Sequence, residues 1–144
     1  TAEGENLKKD IIAKLDGMLE TVACIEERSP QIVAEYREKL ETKVKELLAD
    51  TQMDEGRIAA EVVIFADKIC TDEEVVRLKS HIKHMKETLE SADGIGRKLD
   101  FIAQEMNREA NTILSKANDL EVSNHAIDLK TEIEKVREQI QNIE

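Results

Sequence analysis

The sequence predicts an all-α protein, and three observations support this fold class. Apolar residues recur every three or four positions along most of the 144 residues, which is the spacing of one helix face. No stretch alternates apolar and polar residues in the way that a half-buried strand does. The chain has one proline and five glycines, so few residues favour turns. We therefore expect five to seven long amphipathic helices, arranged as a projecting αα-hairpin and a helical bundle.

The hairpin arm is predicted for residues 1–50. Apolar residues at helical spacing predict one helix over residues 5–27 and a second helix from Pro30 onward. Between them, Ser29 suits the N-cap position and Pro30 suits the first position of a helix. Two such helices joined by a short turn should pair antiparallel. Residues 51–144 are then expected to form a separate C-terminal helical domain.

Local signals place the boundaries of the helices that follow. Asp54 opens a helix, and Thr71 and Glu74 have the spacing of a capping box, in which each side chain bonds the other residue's backbone amide. Residues 91–96 contain two glycines and predict a turn. Ser123 is the predicted N-cap of the last helix, whose regular apolar stripe is typical of a helix docked along its length.

The helix predicted within residues 94–118 has an unusual polar face. Its apolar side consists of Leu99, Ile102, Met106, Ala110, Ile113 and Ala117. The opposite side consists of Arg97, Asp100, Gln104, Arg108, Asn111, Thr112, Ser115 and Asn118. Solvated helix faces are usually rich in Lys and Glu, whereas amides and hydroxyls compete with the hydrogen bonds of the helix itself. Either this helix is buried on two sides, with the polar face bonded to its neighbours, or the face is functional.

Four ordered motifs resemble the C-terminal part of the bacterial YicC/YloC family. They are RIAAEVVIFADK at residues 57–68, DEEVVRLKSHIKHMKETL at 72–89, GRKLDFIAQEMNREANTILSKAND at 96–119 and LKTEIEKVREQIQNIE at 129–144. The resemblance implies an endoribonuclease that requires a divalent metal and assembles as an oligomer. It also implies an N-terminal domain of comparable length, so we expect this chain to be the C-terminal portion of a longer protein.

The family motifs and the residue spacing together suggest a site. His81 stands in the family's Ser-His position, and Glu105 and Glu109 lie one helical turn apart. Mg²⁺ and Mn²⁺ prefer carboxylate oxygens, and Mn²⁺ also accepts imidazole. We therefore expect His81, Glu105 and Glu109 to bind the metal and to be catalytic. The residues expected to bind RNA are Arg97, Lys98, Arg108, Asn111 and Lys116.

Each candidate also has a purely structural interpretation. His81 would be an ordinary helical histidine, and Glu74 would serve only in its capping box. Glu105 and Glu109 would form surface ion bridges with the nearby cations Lys98, Arg108 and Lys116. Spacing alone favours these ion bridges over a metal site.

Charge and cysteine content limit the possible functions. A net charge of −11 argues against a protein that coats nucleic acid generally, but residues 71–118 have 8 basic and 9 acidic residues. RNA can approach this nearly neutral region while the rest of the surface repels it. No apolar run reaches the roughly 18 residues that span a membrane. Cys24 and Cys70 lack the spacing of metal ligands, so we expect reduced thiols and a cytoplasmic protein.

The leading functional hypothesis is the C-terminal part of a metal-dependent endoribonuclease that cleaves RNA phosphodiester bonds. The alternative is a non-catalytic module that mediates oligomerisation or clamps RNA, with the active site in the N-terminal domain. Self-association is expected in both cases, through the hairpin or through the C-terminal helix.

Overall fold

A computed structural model of the chain describes residues 2–48, 54–91 and 95–143. Over these ranges the chain forms five helices, α1 (Ala2–Leu48), α2 (Glu55–Ile69), α3 (Asp72–Leu89), α4 (Gly96–Lys116) and α5 (Leu120–Ile140). The same ranges contain no strand, so the all-α prediction is confirmed. None of the helices searched in them is long and apolar enough to cross a membrane.

The hairpin predicted within residues 1–50 is wrong, because α1 continues through Pro30 as a single helix of 47 residues. Ile25 and Ile32 are both buried, and they lie two helical turns apart on the same face. A turn at Pro30 would break this face, whereas a continuous helix loses the one hydrogen bond that proline cannot donate. The hydroxyl of Ser29 donates to the carbonyl oxygen of Ile25 at 2.8 Å instead of capping a new helix. Continuous apolar spacing therefore outweighs the local stop signal.

The core is formed by the N-terminal half of α1 together with α3, α4 and α5. Helix α4 packs against both α3 and α5, and α1 packs against the same two helices. The largest fully buried side chains are Ile11, Leu15, Met18, Ile25, Leu78, Ile82, Met85, Leu89, Leu99, Met106, Ile113 and Leu129. Because α1 supplies four of these side chains, its first half belongs to the core and not to a separate arm.

A helical hairpin does occur, but it pairs α2 with the C-terminal half of α1. Tyr36 and Phe65 stack with nearly parallel rings whose centroids are 3.8 Å apart. Helix α2 begins where the sequence predicts, since the Asp54 carboxylate accepts a hydrogen bond from the backbone amide of Arg57 at 3.2 Å. The connection at residues 49–53 lies outside the described residues.

The cap of α3 and the start of α5 differ from the predictions. Thr71 precedes α3 but makes no side-chain capping hydrogen bond, so the capping box with Glu74 does not form. Helix α5 begins after Asp119 and not at Ser123, because the Asp119 carboxylate accepts from the backbone amide of Val122 at 3.2 Å. The predicted turn at 91–96 includes residues 92–94, which lie outside the described part of the chain.

The largely buried Arg28 joins the middle of α1 to the start of α5. Its guanidinium donates to both oxygens of Asp119, at 2.9 and 3.2 Å, and also to the carboxylate of Glu35. The hydrogen bond from Arg28, helped by that from the Val122 amide, holds the pKa of Asp119 below its ordinary value. Asp119 thus caps α5 and ties it to α1 with a single carboxylate.

Candidate nucleic-acid interface

The solvent-facing side of α4 carries no acidic residue. Its exposed residues, which we call the α4 strip, are Arg97, Lys98, Phe101, Gln104, Arg108, Asn111 and Ser115. Three of them are cations, although the whole chain has a net charge of −11. The exposed residues of α5, by comparison, include four carboxylates and one lysine. The α4 strip is therefore a locally positive surface on an acidic protein.

Four of the five predicted RNA-binding residues lie on the α4 strip. The side chains of Arg97, Lys98, Arg108 and Asn111 make no ion pair or hydrogen bond with any residue that the structure describes. By contrast, four arginines outside the α4 strip form ion pairs with carboxylates, namely Arg28, Arg37, Arg77 and Arg137. The interpretation in which the polar face of α4 bonds to neighbouring helices is therefore wrong for its arginines, which face solvent, and holds for Asp100, which accepts from Arg137 on α5.

The fifth predicted RNA-binding residue, Lys116, lies at the interface between α3 and α4, which we call the α3–α4 seam. Its Nζ donates to Glu74 Oε1 at 2.5 Å and to the carbonyl oxygen of Cys70 at 3.1 Å. Glu74 is only 2% exposed, and its Oε2 has no hydrogen-bond partner among the described residues. Burial raises the pKa of Glu74, but the hydrogen bond from Lys116 and the residue's own backbone amide outweigh burial and lower the pKa overall. Glu74 is thus the partner of Lys116 and not a helix cap.

Glu109 is the second buried carboxylate of this seam. It is 6% exposed, and each of its oxygens lies 3.1 Å from Nε of Arg77 on α3. The hydrogen bond with Glu109 raises the pKa of Arg77. The sequence predicted that Glu109, if structural, would form an ion bridge with Lys98, Arg108 or Lys116. The ion bridge is present, but its cation is Arg77. The antiparallel register of the two helices, in which residue 74 meets 116 and residue 77 meets 109, supplies this pair.

The metal site predicted from His81, Glu105 and Glu109 is not assembled as a ligand set. The described residues include all three, and they contain no group of three or more His, Cys, Asp or Glu side chains placed to hold a metal ion. Glu109 faces Arg77, while His81 and Glu105 are half-buried on α3 and α4. A divalent ion held here by the described side chains would therefore have fewer than three of these ligands, and the metal-binding role of the three residues stays a prediction. The catalytic roles of these three residues stay predictions.

Comparisons with known proteins agree with the resemblance seen in the motifs. Residues 25–144 match the family described as "Endoribonuclease YicC-like, C-terminal". The chain is 50% identical over 143 residues to the "Probable endoribonuclease YicC" of Clostridioides difficile and 36% identical over 142 residues to the protein of the same name from Haemophilus influenzae. Each alignment covers 99% of this chain and 49% of the relative. The chain thus spans about half the length of these relatives.

Replacing Lys116 by methionine is predicted to destabilise the protein in a pH-dependent way. In the wild type, the folded-state pKa of Glu74 lies below its unfolded value, so its stabilising contribution is lost as the pH falls through the folded pKa. Without the ammonium, the raising effect of burial is opposed only by the backbone amide of Glu74 and by Arg77, so the pKa of Glu74 rises relative to wild type and protonation relieves the cost of the buried charge. Urea unfolding at neutral pH should show a loss of about 3 kcal/mol, typical of removing one partner from a buried pair.

The matched control for this prediction is Lys135→Met, which removes an exposed pair with Glu132. That change should cost less than about 1 kcal/mol at any pH. Relative to wild type, the loss in Lys116→Met should shrink as the pH is lowered toward about 5. Equal losses in the two variants, or a Lys116→Met loss that grows on acidification, would contradict the assignment.

Proposed function

This chain belongs to the endoribonuclease YicC-like family, and we propose that it is the RNA-binding C-terminal part of an endoribonuclease. The observation that carries the proposal is the α4 strip, with three cations, no carboxylate and no competing ion pair within the described residues. Phosphate contacts by Arg and Lys supply most of the non-specific affinity of proteins for nucleic acids. The remaining surface is acidic and would repel RNA, so binding is confined to α4 and its surroundings.

The spacing of the arginines suits a polymer of phosphates. Arg97 and Arg108 are eleven residues apart, which places them on one side of the helix and about 16 Å apart along its axis. Neither guanidinium has to leave a carboxylate of the described residues before it binds RNA. Both can therefore donate paired hydrogen bonds to phosphate oxygens without first losing an interaction within the protein.

Cleavage is proposed for the protein that contains this chain, because the relatives carry the name of a probable endoribonuclease and are twice as long. Two arrangements are compatible with the fold. In the first, His81 and Glu105 belong to the active site. In the second, the active site lies in the other half of the longer protein, and this chain acts as a clamp that holds RNA.

Self-association through α2 is a further part of the proposal. Ile58 is the buried residue of this helix, while Val63 and Ile64 are each 60% exposed. Helix α2 packs mainly against α1, so its second apolar side has no cover within the described residues. Neighbouring exposed aliphatic side chains of this kind are typical of contacts between protein chains. We assign this side of α2 to a second copy of the chain.

The double substitution Arg97→Ala and Arg108→Ala is predicted to weaken RNA binding without unfolding the protein. Loss of two phosphate contacts should reduce the slope of log affinity against log salt by about 1.5 to 2. Fluorescence anisotropy with a labelled RNA oligonucleotide, repeated over a range of salt concentrations, measures both quantities. The matched control is Lys39→Ala with Lys43→Ala, which makes the same change in charge on exposed residues of α1. A similar loss of slope in the control would contradict binding at α4.

Divalent-metal dependence is tested separately, by assaying cleavage by the intact protein with EDTA and after addition of Mn²⁺ or Mg²⁺. We predict that cleavage is lost with EDTA and restored by the metal. His81→Ala and Glu105→Gln should each lower the cleavage rate at least tenfold while RNA affinity and helical content stay unchanged. If both variants cleave normally, the chain is a clamp and the active site lies in the other half. Full activity in EDTA would refute the metal requirement.

Sedimentation velocity tests the assignment of α2. Wild-type chain is expected to self-associate at micromolar concentration, and Val63→Lys with Ile64→Lys should yield a monomer, because buried lysines disfavour an apolar contact. Val76→Lys, at a 66% exposed position on α3, is the control and should not change the mass. A wild-type protein that stays monomeric at high micromolar concentration would refute self-association by this chain.

A further inference from the structure

Phe101 is a large apolar side chain that the fold does not use. It is 62% exposed near the first turns of α4, while Leu99, Ile102 and Ala103 on the same helix fill the core. The chain has three aromatic residues, and the other two, Tyr36 and Phe65, stack on each other. Phe101 therefore contributes an aromatic ring to the surface without stabilising the core.

The surroundings of Phe101 are polar and positive. Arg97 precedes it by one turn, Arg108 follows two turns later, and Gln104 lies between them on the same side of α4. The neighbouring carboxylate, Asp100, is occupied because it accepts from Gln104 at 2.9 Å and from Arg137 on α5 at 3.2 Å. The other carboxylates of this helix are Glu105, which is half-buried, and Glu109, which is buried against Arg77. An apolar ring flanked by guanidinium groups that pair with no carboxylate of the described residues is unlike an ordinary apolar contact between proteins.

We propose that Phe101 is a stacking platform for an unpaired base of the RNA that this chain binds. This inference rests on the proposed function. Single-stranded nucleic acids bind where aromatic rings stack on bases and cations contact the neighbouring phosphates. Arg97 and Arg108 lie on either side of the ring, so they can contact phosphates several nucleotides apart on the strand whose base is stacked. A base within a duplex has both faces covered by its neighbours, so it cannot stack on this ring.

The absence of tryptophan from the 144 residues provides a direct test. Phe101→Trp introduces a single indole at the platform, and stacking with a base quenches indole emission. An unpaired adenine-rich oligoribonucleotide should quench this emission strongly, and the same strand annealed to its complement should not. Val76→Trp places an equally exposed indole on α3 as a control, and its emission should stay unchanged with both probes.

Affinity measurements on substituted chains complete the test. Phe101→Ala and Phe101→Leu should both weaken binding of the unpaired oligoribonucleotide about tenfold, whereas Phe101→Tyr should retain wild-type affinity, since stacking needs a ring and not merely an apolar side chain. Binding of the duplex should be equal in all four proteins.

Three results would overturn the inference. The first is wild-type affinity in Phe101→Leu, and the second is equal quenching by single strand and duplex. The third is an indole emission of the Phe101→Trp chain that changes with protein concentration in the absence of RNA, which would place the ring in a contact between copies. If any of these results is obtained while the double substitution Arg97→Ala with Arg108→Ala still weakens RNA binding, only the proposed role of Phe101 is refuted. If wild-type chain binds neither RNA probe, the proposed function fails as well.

Discussion

Burial of one side of α4 between α3 and α5 is the constraint on which the arrangement of the surface depends. Leu99, Met106, Ala110 and Ile113 are completely buried, so the helix cannot rotate without exposing them. This fixed rotation determines that Arg97 and Arg108 face solvent and that Glu109 faces α3. The proposed RNA-binding surface is thus a consequence of core packing, since the rotation of α4 sets which side chains face solvent.

The seam between α3 and α4 adds an electrostatic layer to this packing. Glu74 and Glu109 are buried, while their partners Lys116 and Arg77 reach toward solvent. Buried ion pairs are weak sources of stability, because desolvation offsets much of the attraction. Their clearer effect here is on register, since sliding α3 by one turn along α4 would leave both carboxylates buried without a cation. Oε2 of Glu74 has no hydrogen-bond partner among residues 2–48, 54–91 and 95–143, so packing within these ranges does not satisfy every buried polar atom.

Much of this fold could be predicted from the sequence, because hydrophobic spacing reports helices directly. The same spacing also predicts that α1 is continuous, since Ile25 and Ile32 lie on one face on either side of Pro30. The local sequence Ser29-Pro30 instead predicts a break, and it was given more weight than the spacing. The partner of Glu109 could not be predicted, because it depends on the register of two helices separated along the chain by 32 residues. Exposure of the α4 polar face was one of two alternatives, and the choice required knowledge of which helices pack against α4. Capping signals were less reliable: Thr71 precedes α3 without forming the capping hydrogen bond, and Asp119 takes the capping position that Ser123 was predicted to hold.

The central claim is that this chain binds RNA through the exposed side of α4. Its most direct test is a two-dimensional NMR titration of ¹⁵N-labelled chain with an unpaired oligoribonucleotide. The account predicts that amide shifts cluster along Arg97, Phe101, Gln104, Arg108 and Asn111, fade as salt is added, and leave the exposed residues of α1 and α5 unchanged. Shifts centred on α1, α2 or α5, with α4 unaffected at saturating RNA, would contradict it.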